Sequence, residues 1–294
     1  MSFTETPEQL ALREAVAQLG AAYGYEYMVG KARSGGDMAE LYAEAGKLGY
    51  LGVNLPTEYG GGGGGMYELA IVEEELGTAG CGLLMMVVSP AICGTVIAKY
   101  GTNSQKDRWL PGLADGSEIM AFAITESDAG SNSHRITTTA RRDGDDWILS
   151  GAKTYISGVD VAQNVLVVAR TEDSATGALK PVLFVVPTDT PGFSAPLIHR
   201  KVSLRASVTS ELVLDDVRLP ADAVLPFWRL LEPVLGRPRE VRRSQPLMTL
   251  AAAPRVAPDL LREERGEDRA EVDPRRLDDL AVVPAELDLL HDGS

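Results

Sequence analysis

Residues 121–132 read AFAITESDAGSN, and residues 153–158 read KTYISG. In the first segment, Phe122, Ile124 and Thr125 follow the alternating pattern of a strand, and a cluster of turn-forming residues comes directly after them. A strand that ends in hydroxyl groups and a glycine can line a planar ring and let the main chain approach a phosphate. The same residue types are common in ordinary sheets, so these segments alone leave both interpretations open.

Around these segments the periodicity of the sequence changes from helical to alternating near residue 118. Stretches rich in Val, Ile, Thr and aromatic residues, separated by turn residues such as Asp143-Gly144-Asp145, predict antiparallel strands. The region 118–225 is therefore predicted to form an antiparallel β-barrel domain, with a sandwich as the alternative. The strands are expected near residues 119–125, 135–142, 146–150, 152–157, 163–170, 182–187 and 210–217.

Residues 1–117 are predicted to form an N-terminal helical domain, which makes the fold class α+β. Thr6-Pro7-Glu8-Gln9 has the pattern of a capping box with proline at the first helical position. A second helix should begin near Asp37 and bury an apolar stripe that ends with Leu48. Further helices are expected after the glycine run, over about 82–100 with a kink at Pro90, and after Thr102.

The composition changes after about residue 225. Residues 226–294 contain 11 Arg, no Lys and eight of the 17 prolines of the chain. Prolines this frequent interrupt every helical window, so a Pro/Arg-rich, poorly ordered tail is predicted over 226–294. A shifted reading frame of a GC-rich gene would produce the same composition, and we expect that or an equivalent truncation.

Bulk properties exclude several classes of protein. A net charge of −14 and a pI of about 4.7 argue against a nucleic-acid partner, which requires a basic face. Cys81 and Cys93 have no CxxC spacing and are predicted to be buried free thiols in a reducing compartment. The longest apolar stretch, 83–88, is too short to span a bilayer, and no secretory signal is visible. A soluble cytoplasmic protein without a membrane partner is expected.

Other motifs favour ordinary structural roles. The six glycines 60–65 satisfy GxGxxG trivially, and a loop between helices is expected there instead of a dinucleotide site. Glu73, Glu74 and Glu75 are predicted to form a solvated helix face. No metal site is predicted, because the three histidines are dispersed. Four polar residues alternate along one stretch and could meet a nucleotide phosphate or form a charged edge strand: Lys201, Arg205, Ser207 and Thr209.

Three motifs occur in order along the chain: TESDAGS at 125–131, WILSGAKTYIS at 147–157, and KVSLRASVT followed by LVLDDVRLP within 201–220. Together they resemble the acyl-CoA dehydrogenase family, where they usually read TEPxAGSD, GxKxWITN and FxDVxVP. The resemblance covers about residues 5–225. Here Ser127-Asp128 stands for the usual Pro-Gly, Asn132 for Asp, Tyr155 for Trp, and Ser157-Gly158 for Thr-Asn.

The resemblance implies FAD-dependent α,β-dehydrogenation of an acyl-CoA thioester, with an electron-transfer flavoprotein or a similar electron acceptor. It also implies a helical domain that precedes a β domain. Ser131 is expected to lie near the acyl-CoA as well as the cofactor. By motif, the cofactor-binding residues are Phe122, Ile124, Thr125, Gly130, Ser131, Tyr155, Ile156 and Ser157.

In the family, a further helical bundle supplies the catalytic base and subunit contacts, and nothing in the tail resembles it. No catalytic residue is therefore predicted, and Glu232, Glu240, Glu263 and Glu264 are not nominated. We expect a weakly active or inactive chain. Members of the family form homo-oligomers, but we do not extend this property to the present chain. Two alternatives remain open: a flavin-dependent oxidase or monooxygenase of the same fold, and a non-catalytic remnant.

Overall fold

The computed structural model describes residues 4–173, 176–199 and 207–226. They contain an N-terminal helical part followed by a sheet, which confirms the mixed α+β class. The predicted tail, from residue 227 onward, lies outside the described residues. So do Lys201, Arg205 and the four glutamates considered as bases.

The helical part begins and ends where the sequence carries capping signals. The Thr6 and Thr102 hydroxyls accept hydrogen bonds from the backbone N–H of Gln9 and Gln105, and both capping boxes are complete. The bounds are α1 (Pro7–Ser34, with non-helical backbone at Gly24), α2 (Ala39–Lys47), α3 (Met66–Thr78), α4 (Leu84–Met86), α5 (Thr95–Tyr100) and α6 (Asn103–Asp115).

A π-helical segment, Val87–Gly94, joins α4 to α5 and contains Pro90. Proline has no N–H to donate, and the wider turn accommodates it without ending the helix. The predicted kink is therefore a change of helix type. The buried Ser89 of this segment accepts a hydrogen bond from the Met120 N–H at 2.9 Å, so the segment is joined to the first strand. Cys81 and Cys93 are buried and free, as predicted.

Two predictions in the helical part are wrong. Leu48 is 50% exposed, because α2 ends at Lys47 and Leu48 follows the last turn. Glu73 is not part of a solvated face: its Oε1 is buried without a hydrogen-bond partner, and burial raises the pKa of the carboxyl to about 7. By contrast, Glu74 and Glu75 pair with Arg13 of α1.

The glycines 60–65 form a loop before α3, as predicted. The loop lies against the turn that precedes it: the Gly62 and Gly64 N–H groups donate to the carbonyls of Gly52 and Val53, each at 2.9 Å. A side chain at Gly61 would lie 2.2 Å from the Leu55 carbonyl oxygen. The glycines therefore permit a close approach of two backbone segments.

The sheet contains β1 (Met120–Ala123), β2 (Thr139–Asp143), β3 (Asp146–Ser157), β4 (Asn164–Glu172), β5 (Leu179–Pro187), β6 (Phe193–Ser194), β7 (Thr209–Leu219) and β8 (Val224–Leu225). The segments predicted at 146–150 and 152–157 are one long strand, and the two-residue strands β6 and β8 were not predicted. The strand order is β6-β7-β3-β2-β4-β5-β8, and β1 also pairs with β4.

The predicted antiparallel barrel is wrong. Within the described residues the sheet is not closed, because β6 and β8 at its two ends do not pair. The pairing is also mixed: β1 and β2 both run parallel to β4, with Met120 opposite Asn164 and Thr139 opposite Arg170. β1 and β2 therefore run in the same direction, so the segment that connects them does not form a hairpin. Alternating hydrophobicity predicts which face a strand buries, but it does not predict pairing direction.

Both faces of β4 are buried. Val165 and Val167 share a core with residues of β3, β5 and β7, whereas Leu166 and Val168 pack in a second core with Leu113 of α6. This explains the unbroken apolar run VLVVA at 165–169. The helical part therefore packs on one face of the sheet, against β4.

Candidate functional site

The two segments that open the sequence analysis meet where β1 ends. The Thr154 N–H of β3 donates to the Thr125 carbonyl at 2.9 Å, and the Lys153 ammonium donates to the Ile124 carbonyl at 3.2 Å. The residues predicted from the first motif and those predicted from the second therefore lie on adjacent backbone segments. We call the two segments that these hydrogen bonds join, residues 124–131 and 153–158, the junction.

A tight turn follows Thr125. Glu126 and Ala129 exchange backbone hydrogen bonds of 3.2 and 3.1 Å across Ser127-Asp128. Neither turn residue has a positive φ, so the Ser-Asp pair replaces the family's Pro-Gly without strain. Gly130 and Ser131 are exposed after the turn, and a Cβ built on Gly130 would meet nothing within 4 Å. Open space therefore adjoins these two predicted cofactor-binding residues.

Tyr155 has an unusual backbone for a residue in a strand. Its φ is 61°, and the pairing of β3 with β7 shifts register between Lys153 and Ile156. Such a bulge turns the neighbouring groups to new directions. The Tyr155 side chain points outward and is 69% exposed, and the backbone strain costs on the order of 1–3 kcal/mol. A strained, exposed aromatic residue in a buried sheet is typical of a functional site.

The other predicted site residues differ in accessibility. Ile156 is 3% exposed and packs in the sheet core, so only its backbone could contact a ligand. Phe122 and Ile124 are half-buried against the core that the sheet shares with α6. Thr125 and Ser157 are half-buried.

Two features favour glycine at position 158, at the end of β3. Its φ is 71°, and an added Cβ would lie 2.3 Å from the Met85 sulfur. The family's usual residue at this position, Asn, also tolerates a positive φ. The Gly158 N–H donates to the Val208 carbonyl at 3.0 Å, which holds this turn against the residues before β7.

An apolar cavity of about 270 Å³ adjoins Gly158. It lies between the helical part and the turn after β3. Its lining includes Met28, Met38, Leu83, Leu84, Met85, Val161 and Val208. Ser207, one of the polar residues considered above for a phosphate, also lines it, whereas Thr209 begins β7.

A buried ion pair lies beneath the junction. The Lys153 ammonium lies 2.8 Å from Glu126 Oε1, with side chains 0% and 6% exposed. Burial alone would raise the pKa of Glu126, but hydrogen bonds from Lys153, Thr138 and Thr137 outweigh it and hold the pKa at about 2. Burial lowers the pKa of Lys153, and Glu126 opposes this shift.

Sequence reasoning did not assign a role to this pair. One signal was available: Lys153 follows Leu149 and Gly151 at every second position of an alternating strand, and Leu149 is buried. A lysine on the buried side of a strand requires a partner of opposite charge. The described residues hold no cluster of three His, Cys, Asp or Glu side chains suited to a metal, and none of their helices is long and apolar enough to cross a membrane.

Two family models match most of the described chain. Acyl-CoA dehydrogenase, N-terminal domain, matches residues 6–117, and Acyl-CoA dehydrogenase, middle domain, matches residues 121–217. The chain belongs to the acyl-CoA dehydrogenase family. A third model, a domain of unknown function, matches residues 213–272.

Individual relatives agree with this family. The chain is 64% identical over 225 residues to acyl-CoA dehydrogenase FadE12 of Mycobacterium tuberculosis, which covers 76% of this chain and 58% of the relative. A solved glutaryl-CoA dehydrogenase from Mycobacterium smegmatis, in complex with FADH2, is 41% identical with a TM-score of 0.70 and covers 76% of this chain and 56% of its own. The prolyl acyl carrier protein oxidase AnaB is 26% identical, with a TM-score of 0.69. The match covers 76% of this chain and 59% of the AnaB chain. The chain thus spans less than two thirds of the length of these relatives.

Proposed function

We propose that the chain binds FAD at the junction and belongs to an enzyme that dehydrogenates an acyl-CoA thioester between its α- and β-carbons. The observation that carries the proposal is the contact between the two motifs, Thr154 N–H to the Thr125 carbonyl. It joins the segment that contains Thr125 to the segment that contains Tyr155 and Ser157. The FADH2 complex of a relative at 41% identity supports the same cofactor.

The residues at the junction fit a flavin nucleotide. Thr125 and Ser157 supply hydroxyl groups, and the exposed Tyr155 supplies an aromatic ring that can lie against a planar ligand. The open space at Gly130 lets a bulky phosphate group approach the main chain and the Ser131 hydroxyl. When bound, FAD supplies the acceptor for the hydride removed from the β-carbon.

The chain's own residues orient the reactants and compensate charge. Hydroxyl and backbone N–H donors at the junction would stabilise the negative charge that accumulates at the ring edge during reduction. Ser131 would contact the acyl-CoA beside the cofactor. The apolar cavity adjoining Gly158 suits the hydrocarbon part of an acyl group, because its lining is rich in methionine and leucine.

The base that removes the α-proton is not Glu126. With a pKa held at about 2 and five hydrogen bonds from Lys153, Thr137 and Thr138, its carboxylate has little tendency to accept a proton. We propose that the base lies outside the junction, as the family resemblance implies. If no residue of the 294-residue chain supplies this base, the chain is weakly active or inactive.

Flavin binding and reduction of the purified chain test this proposal. We expect weak but saturable binding of FAD, seen as quenching of its fluorescence. Anaerobic mixing with a panel of acyl-CoA thioesters should bleach bound flavin slowly, since a missing general base removes roughly 10²–10⁴ of the rate. Absence of saturable binding would contradict the cofactor assignment. Stoichiometric flavin that bleaches at an ordinary catalytic rate would contradict the assignment of the base.

A second candidate function is a flavin-dependent oxidase of the same fold, favoured by the likeness to the AnaB oxidase. Oxygen uptake coupled to substrate oxidation would indicate an oxidase, whereas reduction of an added electron-transfer flavoprotein would indicate a dehydrogenase. If neither flavin nor thioester binds, a non-catalytic remnant is the better interpretation. We further propose two domains, residues 1–117 and 118–225, and a cytoplasmic location.

A further inference from the structure

The buried ion pair of Lys153 and Glu126 calls for an explanation other than stability. The two residues are 1% and 7% exposed. Removing two charges from water is costly, and a buried pair is often no more stable than apolar residues of the same volume. The pair also lies directly beside Thr125, the first polar residue of the proposed flavin site.

Glu126 is fixed independently of Lys153. Its two carboxylate oxygens accept four hydrogen bonds of 2.6–3.0 Å from the N–H and hydroxyl groups of Thr137 and Thr138. These residues lie just before β2, so the carboxylate is tied to the sheet. Lys153 has two acceptors among the described residues, Glu126 Oε1 and the Ile124 carbonyl. Glu126 is thus the anchor, and Lys153 is positioned by it.

Lys153 supports the backbone segment that follows the last residue of β1 paired with β4. In the described residues, β1 pairs with β4 only as far as Ala123. Beyond it, the Lys153 ammonium holds the Ile124 carbonyl, and the Thr154 N–H holds the Thr125 carbonyl. Beyond the end of the β1–β4 pairing, two consecutive residues of β3 therefore supply the hydrogen bonds to the first motif.

The same lysine begins the bulge that carries Tyr155. Lys153 is the last residue paired with β7 before the register shift, and pairing resumes at Ile156. Tyr155 adopts its positive φ between these two fixed points. A strained conformation persists only where the surroundings determine it, and a buried ion pair on one side and a buried isoleucine on the other provide this.

We propose that Lys153 and Glu126 are positioning residues for the flavin. They hold the backbones of Thr125 and of residues 155–157 in one arrangement, and their opposite charges balance the electrostatic field at the ring edge. This inference depends on the proposed function. It predicts two separate effects, one on backbone order without cofactor and one on the preference for oxidised or reduced cofactor.

The electrostatic effect has opposite signs for the two residues. Lys153→Met leaves the Glu126 carboxylate uncompensated, which disfavours the added negative charge of reduced FAD. Glu126→Gln removes the carboxylate that opposes the lowering of the Lys153 pKa by burial, and as long as the lysine stays protonated its uncompensated charge favours reduced FAD. The double variant restores neutrality and should return toward wild type. We expect each single substitution to change the relative affinity for the two forms by roughly tenfold.

The test uses the 294-residue chain as wild type, Lys153→Met, Glu126→Gln and the double variant, with Lys180→Met as control for loss of a surface ion pair. Affinities for oxidised and dithionite-reduced FAD are measured anaerobically at pH 6, because low pH favours the ammonium form of Lys153. Lys153→Met should weaken binding of reduced FAD about tenfold more than oxidised FAD, and Glu126→Gln should reverse this preference. Equal weakening of both forms by both variants would mean a merely structural role and overturn the proposal.

Hydrogen–deuterium exchange of the cofactor-free chain supplies an independent measurement. Lys153→Met should speed exchange in peptides that cover 120–127 and 153–158, and Lys180→Met should not. Unchanged exchange in both peptides would overturn the positioning role even if flavin binds normally. Faster exchange together with a wild type that binds no FAD would show that the proposed function fails first, and the flavin role of the pair fails with it.

Discussion

Glu126→Gln should destabilise the chain strongly, because the substitution leaves the Lys153 ammonium buried without a carboxylate to balance its charge. Removing one partner of a buried pair costs about 3–5 kcal/mol. The pKa gives a similar figure. A carboxyl held at about 2 instead of 4.5 contributes about 3 kcal/mol at roughly 1.4 kcal/mol per pKa unit.

The sign of the pH dependence follows from the lowered pKa. Glu126 contributes its full stabilisation above the unfolded pKa of 4.5 and loses it as pH falls toward 2. Wild type should therefore lose stability over this range, and Glu126→Gln should lose less. Urea unfolding followed by circular dichroism at pH 7 and pH 3.5 measures both free energies of unfolding.

A double-mutant cycle with Lys153→Met isolates the coupling. Met fills a similar volume without charge, and the glutamine side chain introduced by Glu126→Gln keeps one acceptor oxygen for the donors of Thr137 or Thr138, while its NH2 group can donate only to a threonine hydroxyl. The double variant should therefore be more stable than Glu126→Gln alone. Asp173→Asn, which breaks the Lys180 surface pair, is the matched control and should cost less than about 1 kcal/mol. A loss below about 1 kcal/mol for Glu126→Gln at pH 7, equal to the control, would refute this reasoning.

Three further substitutions test other features. Gly158→Ala should cost about 1 kcal/mol more in chemical unfolding than Gly144→Ala, because both glycines have positive φ but only Gly158 would also meet the methionine of α4. Glu73→Gln should raise the melting temperature at pH 8 and leave it unchanged at pH 4. Its carboxyl has a raised pKa of about 7, so ionisation penalises the folded state only as pH rises above 4.5, fully so above 7. Tyr155→Gly should stabilise the chain by up to about 1 kcal/mol, since glycine adopts positive φ freely, but it should weaken FAD binding measured by fluorescence quenching.

Local features of the fold followed from sequence because their causes are local. The capping boxes at Thr6 and Thr102 each involve residues three positions apart, and both are present. The direction of strand pairing involves distant residues, and the antiparallel barrel was wrong for that reason. Glu73 was predicted to be solvated because Glu74 and Glu75 follow it. Its surroundings depend on how α3 packs, and the residue types alone do not show that packing.

The candidate site likewise has one part that the sequence predicted and one part that it did not. The order of the motifs was sufficient to predict that Thr125 and Ser157 belong to one region, and the contact between Thr154 and Thr125 joins the two motifs. Whether they bind FAD stays a prediction. The positive φ of Tyr155 could not be read from a residue type that usually avoids it, because the bulge arises from the register of β3 against β7.

A crystal structure of the chain grown with excess FAD tests the central claim most directly. We expect an isoalloxazine ring at the junction, within hydrogen-bond reach of Thr125 and Ser157 and beside the Tyr155 ring. Gly130 and Ser131 should adjoin the phosphate or ribityl part. A flavin bound elsewhere on the described surface, with the junction empty, would show that the junction is not the FAD site.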